Sequence, residues 1–560
     1  MSAGHRPGTE GIIVCARETR GAHEDSGSDA DMPTTIPSLT PAAAVRLLDE
    51  HHLLREVIAG GRWTMDPSAI DGADAPIPAI TYDTRQVTEG SLLFVKGRFK
   101  PEFLDGVDAR GLGLYVAEEP YEDRTKAPGI IVEDAHKAMS LLAAEFYGRP
   151  QDELTLIGIT GTKGKTTTDY FTHAILNAYS HGHAAMMSSL TCCLDGHTWT
   201  PSTLTTPESL DAFRMMREAV DNGMRYLVME VSSQAYKVHR VYGLTFDVGA
   251  FLNISPDHIS PIEHPTFEDY LHCKRQITAN CRTLVLNAHA AHADLIREDA
   301  AAAGVPVRDF ALLDETPSDP ANAPADPGTT AYAWPADASH DSYLLRLDGR
   351  DLGRYRLHLV GDFNYENALA AVTLAHAAGV PADAVEALHA MESTRVSGRM
   401  ELTRDEASDT DVIVDYAHNY TSVKALLDFV YSRYAGRDPH ITLVAGSAGN
   451  KAYDRRREIV EAAQDRIARF VFTAEDTDTE PYADICRDML AAVTNPQVAT
   501  TTILDRVEAI ADALADAKAH PDRLDVVLVI GKGHERWIKD LNKHVPYEGD
   551  DHVVQRLLGA

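Results

Sequence analysis

Cysteine is scarce: Cys15, Cys192, Cys193, Cys273, Cys281 and Cys486 are the six in 560 residues. None forms a Cys-x-x-Cys pair. Neither a zinc site of ordinary spacing nor a disulfide scaffold is expected, and a reducing cytoplasm suits the chain. Long apolar runs are also missing. None approaches the roughly 18–20 residues of a membrane helix, and the stretch 11–16 is too short for a signal peptide. Basic residues are in deficit: 52 Lys and Arg against 84 Asp and Glu leave a formal charge of −32. That field disfavours nucleic acid and anionic membranes as partners. An anionic substrate would need a local basic pocket.

What is present suits several cores. The hydrophobic fraction is 44%, ordinary for a globular chain, and the length favours three or four domains. Residues 1–37 are polar and Gly/Ser-rich, and read as a disordered tail or an over-long start. A unit of short strands and turns spans 38–150. Alternating apolar strands and helices over 151–392 predict a doubly wound α/β sheet, with strands near 154–160, 226–231, 247–253 and 283–287 and helices near 165–179 and 364–378. Pro, Ala, Asp and Ser dominate 312–342, which reads as a surface loop inserted in that unit. A third α/β unit, 393–560, shows strands near 411–415, 441–445, 469–473 and 525–530.

The first strand of the second unit runs into Gly161-Thr162-Lys163-Gly164-Lys165-Thr166-Thr167. A strand, a glycine turn and a Lys-Thr opening a helix are a phosphate cradle. Backbone N–H groups converge on the anion and the helix N-terminus adds positive partial charge. Lys165 would reach the β/γ-phosphates and Thr166 would hold Mg²⁺. Ile159 stands where the strict phosphate-loop pattern has its first Gly. Glu230 ends another strand, where a carboxylate suits Mg²⁺, and Asp257-His258 follows the next. A lone His is more often structural than a ligand, and Lys274 by composition is a solvated lysine.

The loop with its flanks, Gly158 to Thr167, resembles that of the Mur ligase family, whose members usually carry Asn at the place of Lys163. Glu230-Val231-Ser232-Ser233, Asp257-His258 and Lys274 are similar to three successive family motifs. The resemblance implies a three-domain α/β architecture and a catalytic set of Lys165, Lys274, His258 and Glu230. It implies that Lys274 is carbamylated and joins Thr166, Glu230 and His258 as a metal ligand. Gly361-Asp362-Phe363-Asn364-Tyr365-Glu366-Asn367 resembles the family's Gly-x-Phe-Asn-x-x-Asn; Asn364 and Asn367 could read adenine, or Asn364 could cap the helix. Arg399, in Gly398-Arg399-Met400-Glu401, would stabilise phosphate charge, and Asp415 and His418, in Asp415-Tyr416-Ala417-His418, would help close the third domain over ATP.

Thr205-Thr206-Pro207, Ser232 and Arg240 resemble the sugar-nucleotide peptide site of the MurE branch, and Thr84 and Arg85, in Tyr82-Asp83-Thr84-Arg85, its uridine diphosphate segment. The resemblance therefore implies ATP- and Mg²⁺-dependent addition of an amino acid to a UDP-N-acetylmuramoyl dipeptide through an acyl phosphate. Branch members that add diaminopimelate carry Asp-Asn-Pro-Arg where this chain reads Glu475-Asp476-Thr477-Asp478. An acid at Asp478 in place of arginine would repel a distal carboxylate and favour a distal ammonium, hence L-lysine or L-ornithine. Arg456 matches the arginine that fixes the α-carboxylate. Gly531 and Glu535, in Gly531-Lys532-Gly533-His534-Glu535, would hold the same end of the amino acid. Lys163 is expected to add charge beside the phosphates. Competing readings are a meso-diaminopimelate-adding or other Mur-type ligase, a related folate- or cyanophycin-type ligase, and a non-catalytic ATP-binding partner protein.

Overall fold

A computed structural model describes residues 39–257, 259–260, 263–314, 329–337, 340–450 and 453–559. The expected tail 1–37 and His258 lie outside them. Residues from Ser38 onward cluster as one compact unit built on three large sheets. Among the described residues no helix is long and apolar enough to cross a membrane, and the five described cysteines are free and buried.

The first sheet has six strands, in the order Arg62–Thr64, Leu54–Ala59, Gly129–Val132, Leu114–Ala117, Leu92–Phe94 and Ile80–Thr81. Helices Pro41–Glu50 and Ala135–Phe146 pack on it, each started by a side-chain cap, Thr40 and Asp134 respectively. The second sheet has eleven strands. Its heart is parallel: Ala184–Met187, Tyr226–Glu230, Thr155–Thr160, Phe246–Phe251, Cys281–Asn287 and Val307–Leu312. These strands are mostly apolar and buried, as parallel strands covered on both faces are. The third sheet is Glu401–Asp405, Thr410–Asp415, Asp525–Ile530, His440–Ala445, Arg469–Phe472 and Ala499–Thr502, parallel except for its first strand. A hairpin, Trp537–Asp540 with Lys543–Pro546, stands beside it.

The expected loop 312–342 is corrected in part. Thr329–Pro335 is a strand, parallel to Val307–Leu312 and antiparallel to Tyr343–Leu347. Its inward Ala331 and Ala333 are fully buried, and Tyr332 stacks with Trp334 on the other face at 5.9 Å. Its Thr, Tyr and Trp residues favour a strand, but the Pro-, Ala- and Asp-rich residues around them dilute that signal. Residues 315–328 lie outside the described set.

Candidate functional site

The strand Thr155–Thr160 lies between Tyr226–Glu230 and Phe246–Phe251, all parallel, so their carboxyl ends open on one crevice. Residues 161–164 turn from it into the helix Lys165–Tyr179. Gly164 stands at φ +82°, and a Cβ there would come 2.3 Å from Asn367 Oδ1. Glycine is therefore required twice over, by backbone and by close approach. No side chain caps this helix, so its first N–H groups face the crevice.

Lys165 folds back on the loop, its Nζ donating to Gly161 O at 2.9 Å and Thr162 O at 3.3 Å. Thr166 Oγ1 donates to Glu230 Oε1 at 2.9 Å, and the Ser189 N–H reaches the same oxygen at 2.7 Å. Lys274 arrives from the helix Phe267–Arg275. It is 1% exposed, donates to Gly161 O at 2.8 Å, and lies over the Tyr270 ring. Burial, reinforced by the charge of Lys165, holds the Lys274 amine well below the ordinary lysine range. The fold thus gathers Lys165, Thr166, Glu230 and Lys274 around one loop.

Asn364 and Asn367 are buried on the helix Asp362–Ala377. Asn364 does not cap it: its Nδ2 donates to Val360 O at 2.7 Å, and Asn367 Nδ2 donates to Asn364 Oδ1 at 3.3 Å. Arg399 stacks on the Tyr416 ring, its buried Nε without a hydrogen-bond partner among the described residues. Asp415 accepts the N–H groups of Met400 at 2.9 Å and Ala417 at 2.7 Å, and burial raises its carboxyl. It fixes the segment that carries Arg399.

Lys163 differs from expectation. Its backbone is clasped by Asn253 in both directions, at 2.9 and 3.1 Å. Its Nζ lies 3.1 Å from Asp257 Oδ2 and 3.2 Å from His418 Nε2, in the third domain. Desolvation pulls Lys163 down to about 8, against the pull of Asp257. Burial, with Lys163 beside it, drives His418 well below the ordinary histidine value.

The sugar-nucleotide candidates divide. Thr206 is fully buried and braces the strand end that bears Glu230, donating to Glu230 O at 2.9 Å and accepting from Ser232 N at 3.0 Å. Arg240 donates to Glu208 Oε1 at 2.7 Å and to Thr206 O at 3.2 Å, while Lys96 takes the other oxygen of Glu208 at 2.9 Å. Thr205 is half-buried alongside. Thr84 and Arg85 sit in a short turn of the first domain, with Arg85 largely exposed and forked onto Asp83. Tyr82, next to them, donates to Asp211 of the second domain at 2.5 Å.

In the third domain Glu475 and Gly531 face each other: a Cβ on Gly531, itself at φ +104°, would stand 2.5 Å from Glu475 Oε2. Among the described residues that oxygen has no hydrogen-bond partner, and burial pushes the carboxyl up to about 7. Asp476 accepts from Lys532 Nζ and from the Lys539 N–H, both at 2.9 Å. Lys532 also pairs with Glu535, whose other oxygen accepts from Tyr416 OH at 2.9 Å. Asp478 is ion-paired with Lys539 of the hairpin, so it does not stand open to a ligand's ammonium as expected. Arg456 is likewise engaged, by Asp488 at 2.6 Å and by Glu480. Its neighbour Arg455 reaches Asp257 instead, at 2.7 Å.

Four functional-looking groups had no distinctive sequence signal. Glu208 gathers Lys96 and Arg240, and Lys539 meets Asp478. Arg506, 2% exposed, forks onto Asp550 at 2.7 and 2.8 Å and donates to the carbonyls of Ala474 and Ile530. It ties the Glu475 segment to the Gly531 segment from behind. Asp169, fully buried one turn beyond Thr166, has neither oxygen hydrogen-bonded among the described residues, and burial raises it well above the carboxylate range.

Residues 159–375 match the Mur ligase middle domain, and residues 398–533 the Mur ligase glutamate ligase domain. A UDP-N-acetylmuramyl-tripeptide synthetase of Bifidobacterium longum is 64% identical over 522 residues, which are 93% of this chain and 100% of that protein. A UDP-N-acetylmuramoyl-L-alanyl-D-glutamate–L-lysine ligase of Enterococcus faecalis is 42% identical over 91% of this chain and 97% of its own. Among solved structures, MurF from Acinetobacter baumannii superposes with a TM-score of 0.58 at 17% identity, covering 94% of this chain and 100% of its own. A UDP-N-acetylmuramoyl-L-alanyl-D-glutamate–2,6-diaminopimelate ligase gives 0.57 at 21%, over 87% and 96%. At those identities the solved structures share the fold.

Proposed function

The chain belongs to the Mur ligase family, and from that premise we propose that it adds L-lysine, or its shorter homologue L-ornithine, to UDP-N-acetylmuramoyl-L-alanyl-D-glutamate at the expense of ATP. The γ-phosphoryl group passes to the D-glutamate carboxylate and gives an acyl phosphate with release of ADP. The amine of the incoming amino acid attacks the acyl carbon, the amide forms, phosphate leaves and the amine's proton goes to solvent. No enzyme nucleophile is required, so the protein's work is positioning and charge neutralisation.

The observation that carries this reading is the Lys274 amine, buried against the Gly161 carbonyl with Glu230 and Thr166 at the same loop. A lysine depressed by burial is a neutral nucleophile toward carbon dioxide. The carbamate it forms, releasing one proton, turns a cation into an oxygen ligand. Glu230 accepts from two neutral donors, Thr166 and Ser189, so its charge is left for a cation. Thr166, Glu230, His258 and carbamylated Lys274 are a donor set that fits Mg²⁺. The ion would neutralise charge on the transferring phosphate. Lys165 exchanges the Gly161 and Thr162 carbonyls for the β/γ-phosphates, and Arg399 meets the same charge from the third domain. Asn364 and Asn367 lie beside the nucleotide.

Thr205, Ser232 and Arg240 receive the dipeptide, with buried Thr206 bracing the strand end beneath them, and Thr84 and Arg85 receive the uridine diphosphate. In the third domain Gly531, Glu535 and the 475–478 segment surround the amino acid. With Asp478 answered by Lys539, Glu475, beside Gly531, is the acid left to meet an ammonium of the amino acid. The Enterococcus faecalis relative is named for L-lysine, and the acidic 475–478 segment suits a distal cation. The test is ligation with L-lysine, L-ornithine and meso-diaminopimelate, read as product mass and phosphate release. Diaminopimelate is expected to lag in kcat/KM by about a hundredfold or more, the scale of an unanswered buried charge. A preference for diaminopimelate overturns the amino-acid assignment; phosphate release that ignores the added amine overturns the ligase.

A further inference from the structure

Two lysines two positions apart in the phosphate loop point to different tasks. Lys165 stays on the loop's own carbonyls, Gly161 O and Thr162 O. Lys163 leaves it. Its peptide N–H and carbonyl are both held by the Asn253 side chain, which fixes the direction of its Cα–Cβ bond. Its ammonium reaches Asp257 on the loop's own domain and His418 on the third domain.

The proton arrangement at His418 follows from its partners. Nδ1 lies 2.6 Å from Tyr416 O, and a carbonyl can only accept, so Nδ1 carries the proton. Nε2 is then a lone pair, and it accepts from Lys163 at 3.2 Å. Asp257 completes the junction. One oxygen takes Arg455 Nη2 at 2.7 Å; the other takes Lys163 at 3.1 Å and Asn419 Nδ2 at 3.4 Å. Three of these groups, His418, Asn419 and Arg455, come from the third domain, and two, Lys163 and Asp257, from the second. Asp257 is 8% exposed, and charge-assisted hydrogen bonds in such shelter are stronger than surface ion pairs.

We infer that Lys163 is a positioning residue that seats the third domain on the phosphate loop, through His418 directly and through Asp257 to Arg455 and Asn419. Every partner in this bridge is protein, so its contribution can be read in the absence of nucleotide. An asparagine at 163 is too short to span to His418, so this chain carries a contact that Asn-bearing relatives of the loop lack. The inference rests on the proposed reaction only in placing ATP between the two domains. It does not depend on which amino acid is added.

The experiment compares wild type with Lys163→Asn, Lys163→Arg and Arg455→Met in the full chain. Small-angle scattering without nucleotide reads closure, circular dichroism reads folding, and steady-state kinetics separate kcat from KM for ATP. Lys163→Asn is expected to expand the nucleotide-free particle and to lower kcat about tenfold, the worth of one charge-assisted hydrogen bond. KM for ATP should stay within about twofold, since Lys163 is not a phosphate ligand. Lys163→Arg, which keeps charge and reach, should recover most of the compactness, and Arg455→Met should expand the particle as Lys163→Asn does. Unchanged scattering in Lys163→Asn and Arg455→Met overturns the seat whatever the kinetics. A tenfold rise in KM for ATP with kcat preserved overturns it too, by placing the ammonium on the phosphates. If the ligase reading fails instead, the scattering difference still stands.

Discussion

Glu475→Gln separates what the third-domain pocket costs from what it does. The Glu475 carboxyl is buried against Gly531, one oxygen has no partner, and burial lifts it from the ordinary 4.5 to about 7. That rise is a linkage free energy of about 3 kcal/mol at roughly 1.4 kcal/mol per unit. The folded state holds the proton more tightly than the unfolded chain. The contribution is therefore complete below about pH 4.5 and is lost as the pH climbs through about 7. Glutamine has the same shape and cannot ionise, so it keeps no such dependence. Urea unfolding of both proteins at about pH 5 and about pH 8 should show wild type losing about 2–3 kcal/mol relative to the variant between the two. Every other titrating group is shared and cancels, as does any fixed cost of the amide. At the same time the variant should bind L-lysine more weakly, because an ammonium of the amino acid loses its acid. Parallel pH profiles for the two proteins would refute the burial argument; a tighter KM for L-lysine in the variant would refute the assignment of that acid.

The neighbouring acid should behave differently: Asp478→Asn, already neutralised by Lys539, is expected to change KM for L-lysine by less than about threefold, while Glu475→Gln raises it about tenfold or more, and a reversed order refutes the division. Wild type equilibrated with ¹³C-bicarbonate should show a carbamate carbon resonance that vanishes in Lys274→Arg together with ligation; an unlabelled but fully active enzyme rules the carbamate out. Arg506→Leu leaves Asp550 charged and buried without its fork, and should cost about 3–5 kcal/mol in urea unfolding; a loss below about 1 kcal/mol counts against that pair as the brace of the pocket. Gly164→Ala sets a Cβ 2.3 Å from Asn367 Oδ1 at a positive φ, so ATP affinity should fall at least about tenfold from strain of about 1–2 kcal/mol plus displacement of Asn367, and unaltered affinity is the contrary result.

The ligase architecture has a physical logic visible in where charge is spent. The phosphate loop carries three lysines within reach of it, Lys163, Lys165 and Lys274, on a chain whose formal charge is −32. Each is answered inside the protein, by loop carbonyls or by Asp257, so the positive pocket persists inside a negative field. The third domain does the opposite. It places four acids, Glu475, Asp476, Asp478 and Glu535, against two lysines, Lys532 and Lys539, and one buried carboxylate oxygen of Glu475 has no hydrogen bond among the described residues.

The phosphate loop, the helix Lys165–Tyr179 and the strand-end Glu230 were legible in the residues themselves. Phosphate binding needs a strand, a glycine turn and a helix start, all encoded within about ten neighbouring positions. The strand Thr329–Pro335 was missed although its Thr, Tyr and Trp residues favour strands, because the Pro-, Ala- and Asp-rich stretch around it reads as loop. Side-chain destinations were the other gap. The text of the chain offers Lys163 to the phosphates and Asp478 to a substrate. The fold brings His418, 255 residues away, to the first and Lys539, 61 residues away, to the second. Of adjacent Arg455 and Arg456, helix phase sends one to Asp257 and the other to Glu480 and Asp488. Local backbone chemistry is thus written in sequence, whereas the partner of a charge is chosen by distance and desolvation, which exist only once the three sheets are packed together.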